Sequence, residues 1–367
     1  MYHIKQMSLS LSQTLAKDTI KIFSGSSNEP FAQNVVDHLH LSLADADVQK
    51  FPDGEIKINI NESVRGMDCF IIQSTCRSAV NPDECGNTVN DNLMELFILT
   101  DAIKRGSAKT VNLIIPYYGY QRQDRKDYSR APVSAAVIAR FIENLNVNRV
   151  IIFDLHAGQI SGFFSNSCPL DNLYAEPYFK KYIADSQTDM DNLIFVAPDA
   201  GAVKTNYRLA QEFGVDTCSI FKNRKNGVID HMMLIGDVKD KTVIMVDDMI
   251  DTAGTICKAS NLLKENGAKN IYIFATHGVF SANALERIEK SNITKVVVTN
   301  TVPNLDKVSG DDTKIEIIDV SWMCAEAINR LVNSESISHL YSDFGYFSSS
   351  VSVSPSSSSS SSPVNVN

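Results

Sequence analysis

The sequence predicts an α/β protein with two domains, each a mainly parallel sheet flanked by helices. Short strands that are apolar throughout, such as residues 111–115 and 243–246, alternate with helix-length segments in which apolar residues recur every three or four positions. Continuously apolar strands are typical of parallel sheets covered on both faces. The 367 residues are enough for two domains of about 150 residues each, with tails.

The predicted elements fall into two series, separated by an irregular stretch at 158–173. The first series contains strands at 20–23, 69–72, 111–115 and 150–153, and helices at 29–39, 91–104 and 132–143. The second contains strands at 194–196, 217–220, 243–246, 271–274 and 296–298, and helices at 202–213, 255–266, 283–290 and 325–332.

These series define the predicted domain boundaries. We expect an N-terminal extension at 1–18, an N-terminal domain at 19–165 completed by a helix at 320–335, and a C-terminal domain at 166–319. The Ser-rich tail at 347–367 has too few apolar residues to order itself. Residues 77–88 are predicted to be an inserted surface loop. Residues 1–17 of the extension contain no acidic residue, so a cleaved targeting segment stays an alternative.

Composition restricts the classes of partner. A formal charge of −9 disfavours nonspecific attraction to nucleic acid or anionic lipid, and no apolar run approaches the ~18 residues of a membrane span. The seven cysteines contain no C-x-x-C pair, a pattern typical of reduced thiols in the cytosol. We therefore predict a cytoplasmic protein with no nucleic-acid or membrane partner, in which anionic substrates meet local basic groups.

One segment, 242–255, predicts a sugar phosphate site. A buried strand ends in two acidic residues and a short loop leads into a helix, the place where open α/β sheets bind ligands. Glycine, threonine hydroxyls and helix N–H groups favour a monophosphate, and paired carboxylates suit vicinal ribose hydroxyls. The predicted ribose 5-phosphate ligands are Asp247, Asp248, Asp251, Thr252, Ala253, Gly254 and Thr255. An ordinary helix N-cap is the alternative.

This segment resembles the signature of the type I phosphoribosyltransferase fold, which occurs in salvage transferases and in the synthases that supply them. Further segments resemble the phosphate-activated ribose-phosphate diphosphokinases, and they extend the resemblance over residues 19–341. These segments are residues 51–55, 91–96, 122–132, 154–157 and 196–201. The resemblance implies two phosphoribosyltransferase-like domains and two substrates, ATP and ribose 5-phosphate.

Two segments are predicted to bind ATP. Asp53, Gly54 and Glu55 form a turn whose carboxylates can accept hydrogen bonds from adenine or ribose, and the resemblance places this contact partly across a subunit interface. Arg122 and Gln123 belong to a basic loop that follows a strand, and the planar fork of arginine suits phosphate. Solvated surface turns are the alternative for both segments.

Strand ends and a basic loop carry the predicted metal and catalytic residues. His156 and Asp199 follow strands and match Mg²⁺ ligands of the family, with Asp154 as a possible additional, water-mediated partner. Lys222 and Arg224 match the catalytic basic residues of the family. Gln121, next to the ATP segment, stands where most relatives have a small residue, which leaves the local packing open.

The implied reaction is attack by the 1-hydroxyl of ribose 5-phosphate on the β-phosphorus of ATP. Its products are 5-phosphoribosyl 1-diphosphate and AMP. A salvage phosphoribosyltransferase and a non-catalytic synthetase-associated regulatory subunit are the alternatives. The resemblance also implies a homo-oligomer, a hexamer built from dimers, that phosphate activates and ADP inhibits, with Arg65, Ser129 and Arg130 in the regions of that control.

Overall fold

The computed structural model describes residues 19–77, 86–186, 192–225, 228–303, 308 and 313–341, with side chains except at 223–231. The predicted extension 1–18, the tail 347–367 and most of the 77–88 segment lie outside the described residues. The strands are β1 (Ile20–Ser24), β2 (Ala46–Lys50), β3 (Ile56–Ile60), β4 (Asp68–Ile72), β5 (Thr110–Ile115), β6 (Arg149–Phe153), β7 (Leu170–Leu173), β8 (Leu193–Ala197), β9 (Thr217–Lys225), β10 (Val228–Ile235), β11 (Thr242–Ile250), β12 (Asn270–Gly278), β13 (Lys295–Thr299) and β14 (Ile315–Ile318). The helices are α1 (Glu29–Leu39), α2 (Val89–Arg105), α3 (Ser134–Asn144), α4 (Glu176–Asp185), α5 (Val203–Phe213), α6 (Gly254–Glu265), α7 (Ala284–Glu289) and α8 (Ser321–Val332).

Two parallel sheets organise these elements. The first has the strand order β1-β4-β5-β6-β7 and is parallel throughout. The second has the order β10-β9-β8-β11-β12-β13-β14 and is parallel except for the antiparallel pair β9 and β10. β2 and β3 form a separate antiparallel hairpin. The predicted α/β class, with two mainly parallel sheets flanked by helices, is confirmed, while the domain boundaries stay a prediction.

Some elements were missed in the sequence because their local pattern is weak. β7 and α4 lie in or just after the stretch expected to be irregular, 158–173. β7 places Asp171 and Asn172 between two leucines, and α4 buries the charged Lys180 on its apolar face. β10 and β14 were also not predicted. A strand with few apolar residues, or one at the edge of a sheet, gives little periodic signal.

The two sheets share a buried core and a set of buried polar contacts. A cluster of apolar side chains that includes Phe31, Phe153, Phe274 and Trp322 runs from the first sheet to the second, and α8 packs against α1. Several hydrogen bonds join the two halves of the described structure, and we call four of them the seam. They are Asn28 Nδ2 to Asn300 O (2.9 Å), Ser74 Oγ to Thr301 O (2.7 Å), Thr276 Oγ1 to Asp154 Oδ2 (2.6 Å) and His277 Nε2 to Phe153 O (3.0 Å). The seam brings carboxyl ends of strands from both sheets together.

No helix in the described part of the chain is long and apolar enough to cross a membrane. In that part, Cys69, Cys168, Cys218, Cys257 and Cys324 are free thiols, and all of these except Cys257 are buried.

Asn206 of α5 anchors the middle of β11. Its fully buried amide donates from Nδ2 to the carbonyl of Val246 (2.9 Å) and accepts at Oδ1 from the N–H of Val246 (3.1 Å). One side chain therefore satisfies both backbone groups of the residue that immediately precedes Asp247. β11 needs this partner here because its ladder with β8 ends at Ile244.

We predict that Asn206→Ala destabilises the protein, because it leaves a buried N–H and a buried carbonyl without partners. Each unsatisfied buried group costs about 1–3 kcal/mol, so the urea midpoint should fall clearly. Lys204→Ala, at an exposed position of the same helix, is the control and should leave the midpoint unchanged. Equal midpoints for the two variants would contradict this role of Asn206.

Candidate functional site

A cavity of about 730 Å³ lies where the carboxyl ends of the two sheets meet. It brings together most of the residues that the sequence singled out. From the first sheet come Arg122, Asp154 and His156, and from the second come Asp199, Lys222, Asp247, Asp248, Asp251, Thr252, Ala253, Gly254 and Thr255. Asp53, Gly54, Glu55 and Gln123 do not line it, and the side chain of Arg224 is outside the described residues.

The loop at 251–253 joins β11 to α6. It turns through Ala253, which has a left-handed backbone conformation with φ 58°, and α6 begins at Gly254. A β carbon at Gly254 would meet no protein atom closer than 3.8 Å, so the folded chain itself leaves room there, beside the cavity. The first-turn N–H groups of α6 have no partner within the helix, which makes this turn suited to an anion.

Asp247 and Asp248 form an acidic pair at the end of β11. Burial raises the pKa of Asp247, and the negative charges of Asp248 and Asp199 raise it further. Burial acts in the same direction on Asp248, but a 2.7 Å contact with His156 Nδ1 outweighs it and lowers the pKa of Asp248. That same contact raises the pKa of His156. The cavity therefore holds one ionised carboxylate beside one that binds a proton more readily.

Basic groups of the cavity contact its carboxylates. Lys222 Nζ lies 3.1 Å from Asp199 Oδ2, and the lysine side chain is only 6% exposed. Arg122, from the first sheet, forms an ion pair with Asp251 from the second. The pKa of Asp251 is lowered: burial acts to raise it, but hydrogen bonds from Ser281 and Arg122 and the positive charge of Arg122 prevail. Two of these acid–base contacts, Arg122–Asp251 and His156–Asp248, thus bridge the sheets.

Asp154 sits between the sheets with a left-handed φ of 38°. Its Oδ2 accepts hydrogen bonds from Ala175 N (2.8 Å) and Thr276 Oγ1 (2.6 Å), and burial raises its pKa to about 7. These contacts fix the carboxyl group at the base of the cavity.

The sequence did not single out three residues that lie in the cavity or beside it, namely His277, Glu176 and Arg208. His277 is fully buried, and its Nε2 faces the carbonyl oxygens of Phe153 and Asp154, so this nitrogen carries the proton and Nδ1 accepts from Thr301. Glu176 and Arg208 form an ion pair that lines the cavity. The one available signal was that His277 lies near the carboxyl end of a predicted strand.

Gln121, whose packing the sequence left open, is fully buried. Its Oε1 accepts a 2.9 Å hydrogen bond from the backbone N–H of His156. The residue therefore supports the segment that carries His156, and it does not line the cavity.

The other predicted ATP residues lie outside the cavity. Asp53, Gly54 and Glu55 form the exposed turn of the β2–β3 hairpin, where Gly54 has φ 96° and Glu55 N donates to Asp53 Oδ1 (3.1 Å). Gln123 accepts a hydrogen bond from Ser134 Oγ (2.5 Å). The predicted turn is confirmed, and the roles of these residues in binding ATP stay predictions.

The predicted metal residues share the cavity but contact separate partners. His156 contacts Asp248, Asp199 contacts Lys222, and Asp154 accepts from Thr276. Among the residues that the structure describes, no group of three or more His, Cys, Asp or Glu side chains is arranged to hold a metal ion.

Known proteins resemble both halves of the chain. A family model described as the N-terminal domain of ribose phosphate pyrophosphokinase matches residues 20–145, and one described as the phosphoribosyl synthetase-associated domain matches residues 197–342. Ribose-phosphate pyrophosphokinase A of Dictyostelium discoideum is 44% identical over 331 residues, which cover 89% of this chain and 99% of that protein. The solved phosphoribosylpyrophosphate synthetase from Mycobacterium smegmatis is 36% identical, with a TM-score of 0.77 over 86% of this chain and 99% of that one.

The buried, neutral His277 predicts a pH dependence of stability. Burial lowers its pKa from 6.5 to about 4, so the unfolded chain binds a proton at this residue more readily than the folded one. Its contribution to stability is fully present above pH 6.5 and is lost as the pH falls towards 4. The loss by pH 4.5 is on the order of 2–3 kcal/mol.

We therefore expect His277→Gln to cost more stability at pH 7.5 than at pH 4.5. Urea unfolding of both proteins at the two pH values measures the difference, and comparison within each pH removes the opposing effect of Asp154, whose raised pKa favours acid conditions. A cost of substitution that is equal at both pH values would show that His277 does not titrate in this way.

Proposed function

The chain belongs to the ribose-phosphate pyrophosphokinase family, and we propose that it transfers the diphosphoryl group of ATP to the 1-hydroxyl of ribose 5-phosphate. The reaction yields AMP and 5-phosphoribosyl 1-diphosphate, a precursor for nucleotide biosynthesis. One observation carries the proposal. A single cavity contains both the 251–255 turn of the second sheet, which is suited to a phosphate, and the basic segment at Arg122 of the first sheet. Two anionic substrates therefore have complementary sites within one volume.

The sugar phosphate occupies the second-sheet side in this proposal. The 5-phosphate accepts hydrogen bonds from the turn of Thr252, Ala253, Gly254 and Thr255, where backbone N–H groups and hydroxyls converge. The carboxylates of Asp247 and Asp248 accept from the ribose hydroxyls. With the phosphate and the hydroxyls fixed, the orientation of the 1-hydroxyl is defined, and such positioning supplies much of the rate in phosphoryl transfer.

ATP occupies the first-sheet side, where Arg122 provides a forked donor for its phosphates. The other proposed ATP contacts do not line the cavity of the chain to which they belong; they are Asp53, Gly54, Glu55 and Gln123. An exposed hairpin turn suits contact with a neighbouring copy. We therefore include a homo-oligomer in the proposal, a hexamer assembled from dimers, in which the β2–β3 turn of one copy contributes to the site of another.

Lys222 and Arg224 are the proposed catalytic residues. In the reaction a bond forms between the sugar 1-oxygen and the β-phosphorus, while the bond from that phosphorus to the oxygen bridging to the α-phosphorus breaks and the oxygen leaves with AMP. Charge spreads over the transferring group as this happens. Cations placed at that group stabilise the transition state more than either substrate.

Mg²⁺ is the proposed cofactor, and the donor set of the cavity fits it. Asp199 and Asp248 both raise the pKa of Asp247, which identifies a concentration of negative charge that a cation would relieve. Asp199, His156 and, through water, Asp154 would hold the ion together with substrate oxygens, because Mg²⁺ is usually bound by few protein groups plus phosphates. When bound, it supplies charge neutralisation at the phosphate oxygens.

The alternatives lack support from the cavity. The function of a salvage phosphoribosyltransferase would not explain why a basic segment at Arg122 lies opposite the 251–255 turn. A non-catalytic synthetase-associated subunit would be expected to have lost part of the site, whereas Lys222, His156 and the 247–255 segment all line one cavity. A cytoplasmic location and activation by inorganic phosphate complete the proposal.

The purified full-length chain should form AMP only when ribose 5-phosphate, ATP and Mg²⁺ are all present, and chelation of Mg²⁺ should stop the reaction. Chromatographic separation of AMP, ADP and 5-phosphoribosyl 1-diphosphate measures this. Release of ADP, or AMP formation without the sugar, would reject the function. The rate should rise with added inorganic phosphate, and a flat response would remove the activator from the proposal.

Lys222→Ala should lower turnover by roughly 100-fold or more while changing ATP affinity little, because the ammonium group acts where charge develops in the transition state. Steady-state kinetics separate the two quantities. Lys241→Ala is a matched control, since Lys241 pairs with Asp216 at 3.4 Å outside the cavity. Unchanged turnover in the Lys222 variant would exclude a catalytic role.

A further inference from the structure

Three successive carbonyl groups, where β11 leads into the 251–253 loop, accept hydrogen bonds from one neighbouring segment, residues 279–287. Ile250 O accepts from Val279 N (2.9 Å) and Phe280 N (3.2 Å), and Asp251 O accepts from Ser281 N (3.1 Å). Thr252 O accepts from Arg287 Nη1 (2.9 Å). Backbone N–H groups make the three contacts to the first two carbonyls, and a side chain makes the contact to the third.

The contact of Arg287 sets the direction of the next N–H group. In a planar trans peptide the carbonyl and the following N–H point in opposite directions. With the carbonyl of Thr252 turned towards Arg287, the N–H of Ala253 points away from Arg287. Arg287 does not line the 730 Å³ cavity, whereas Ala253, Gly254 and Thr255 do. The arginine thus supports the loop from outside the lining of this cavity.

Ala253 makes this support necessary. Its φ of 58° is unfavourable for a residue with a β carbon. A half-turn of the peptide between Thr252 and Ala253 would bring φ to a negative value and remove that strain. The same rotation would turn the Thr252 carbonyl towards the cavity, where its partial negative charge would repel a phosphate. The backbone conformation suited to an anion is therefore the strained one.

We propose that Arg287 is a positioning residue for sugar phosphate binding, which holds the Thr252–Ala253 peptide in its strained, anion-binding orientation. The inference rests on the proposed function. Arg287 is free for this role, since it forms no ion pair with any residue that the structure describes, whereas its neighbour Glu286 pairs with Lys290. The connection between β12 and α7, the helix on which Arg287 lies, contains two residues with a left-handed backbone conformation, Phe280 (φ 49°) and Ala282 (φ 52°).

Calorimetric titration of the full-length protein with ribose 5-phosphate tests the proposal. Arg287→Met should weaken binding about tenfold, the effect of losing one charge-assisted hydrogen bond, and should leave the KM for ATP unchanged. Arg287→Lys, which keeps a charge and a donor, should recover part of the loss. An Arg287→Met protein with the affinity of the unmodified chain would overturn the proposal.

A second substitution distinguishes positioning from simple charge attraction. In an Ala253→Gly background the left-handed conformation is no longer strained, so Arg287→Met should cost only about twofold in affinity. An equal loss with and without the Ala253→Gly substitution would overturn the proposal, because it would mean that Arg287 acts by its charge alone. The KM for ribose 5-phosphate, measured against kcat, should show the same pattern.

Lys290→Met is the matched control. It removes a positive charge from the same side of the loop, beside the second cavity of about 380 Å³ that both residues line, but Lys290 contacts Glu286 rather than the loop. Its affinity for ribose 5-phosphate should be unchanged, and a loss as large as that of Arg287→Met would overturn the proposal. Binding without AMP release would reject the proposed function alone, since calorimetry still compares the variants.

Discussion

The seam of buried hydrogen bonds between the two sheets is the constraint on which the cavity depends. Asn28 to Asn300, Ser74 to Thr301 and His277 to Phe153 are all buried, and each unsatisfied buried group would cost about 1–3 kcal/mol. The sheets therefore cannot slide past each other without losing several of these bonds together. Because every bond lies close to a strand end, the seam sets the distance between the two edges that carry the chemistry.

With that distance fixed, acidic and basic side chains from the two sheets are close enough to pair within the cavity. Arg122 contacts Asp251 and His156 contacts Asp248, in both cases across the boundary between sheets. These pairs reconcile a chain of charge −9 with anionic substrates, since local cations face the ligand whatever the net charge. In the proposed complex, a phosphate of ATP would replace Asp251 as the partner of Arg122. The affinity that Arg122 contributes is then the difference between its contact with the phosphate and its contact with Asp251.

Features that depend on a local sequence pattern could be predicted, whereas features that depend on contacts between distant parts of the chain could not. Strands buried on both faces, such as β5 and β11, are apolar throughout and were found, and strand ends located the acidic pair Asp247 and Asp248. α4 was missed because its buried Lys180 is stabilised by Glu176 and by Glu212 of another helix. The roles of His277 and Gln121 depend on backbone groups more than 30 residues away, which no local pattern contains.

The support of β9 explains why Lys222 is paired with Asp199. In the part of the chain that the structure describes, β9 is bonded to β8 from Thr217 to Ser219, and beyond that point it pairs with β10 alone. Lys222 therefore lies on a two-stranded ribbon, an arrangement of marginal stability by itself. Its ion pair with Asp199, which follows β8, docks the ribbon against the main sheet. Asp199 is also a proposed cation ligand. The same contact therefore fixes the position of the proposed catalytic lysine and offsets negative charge at the proposed metal site.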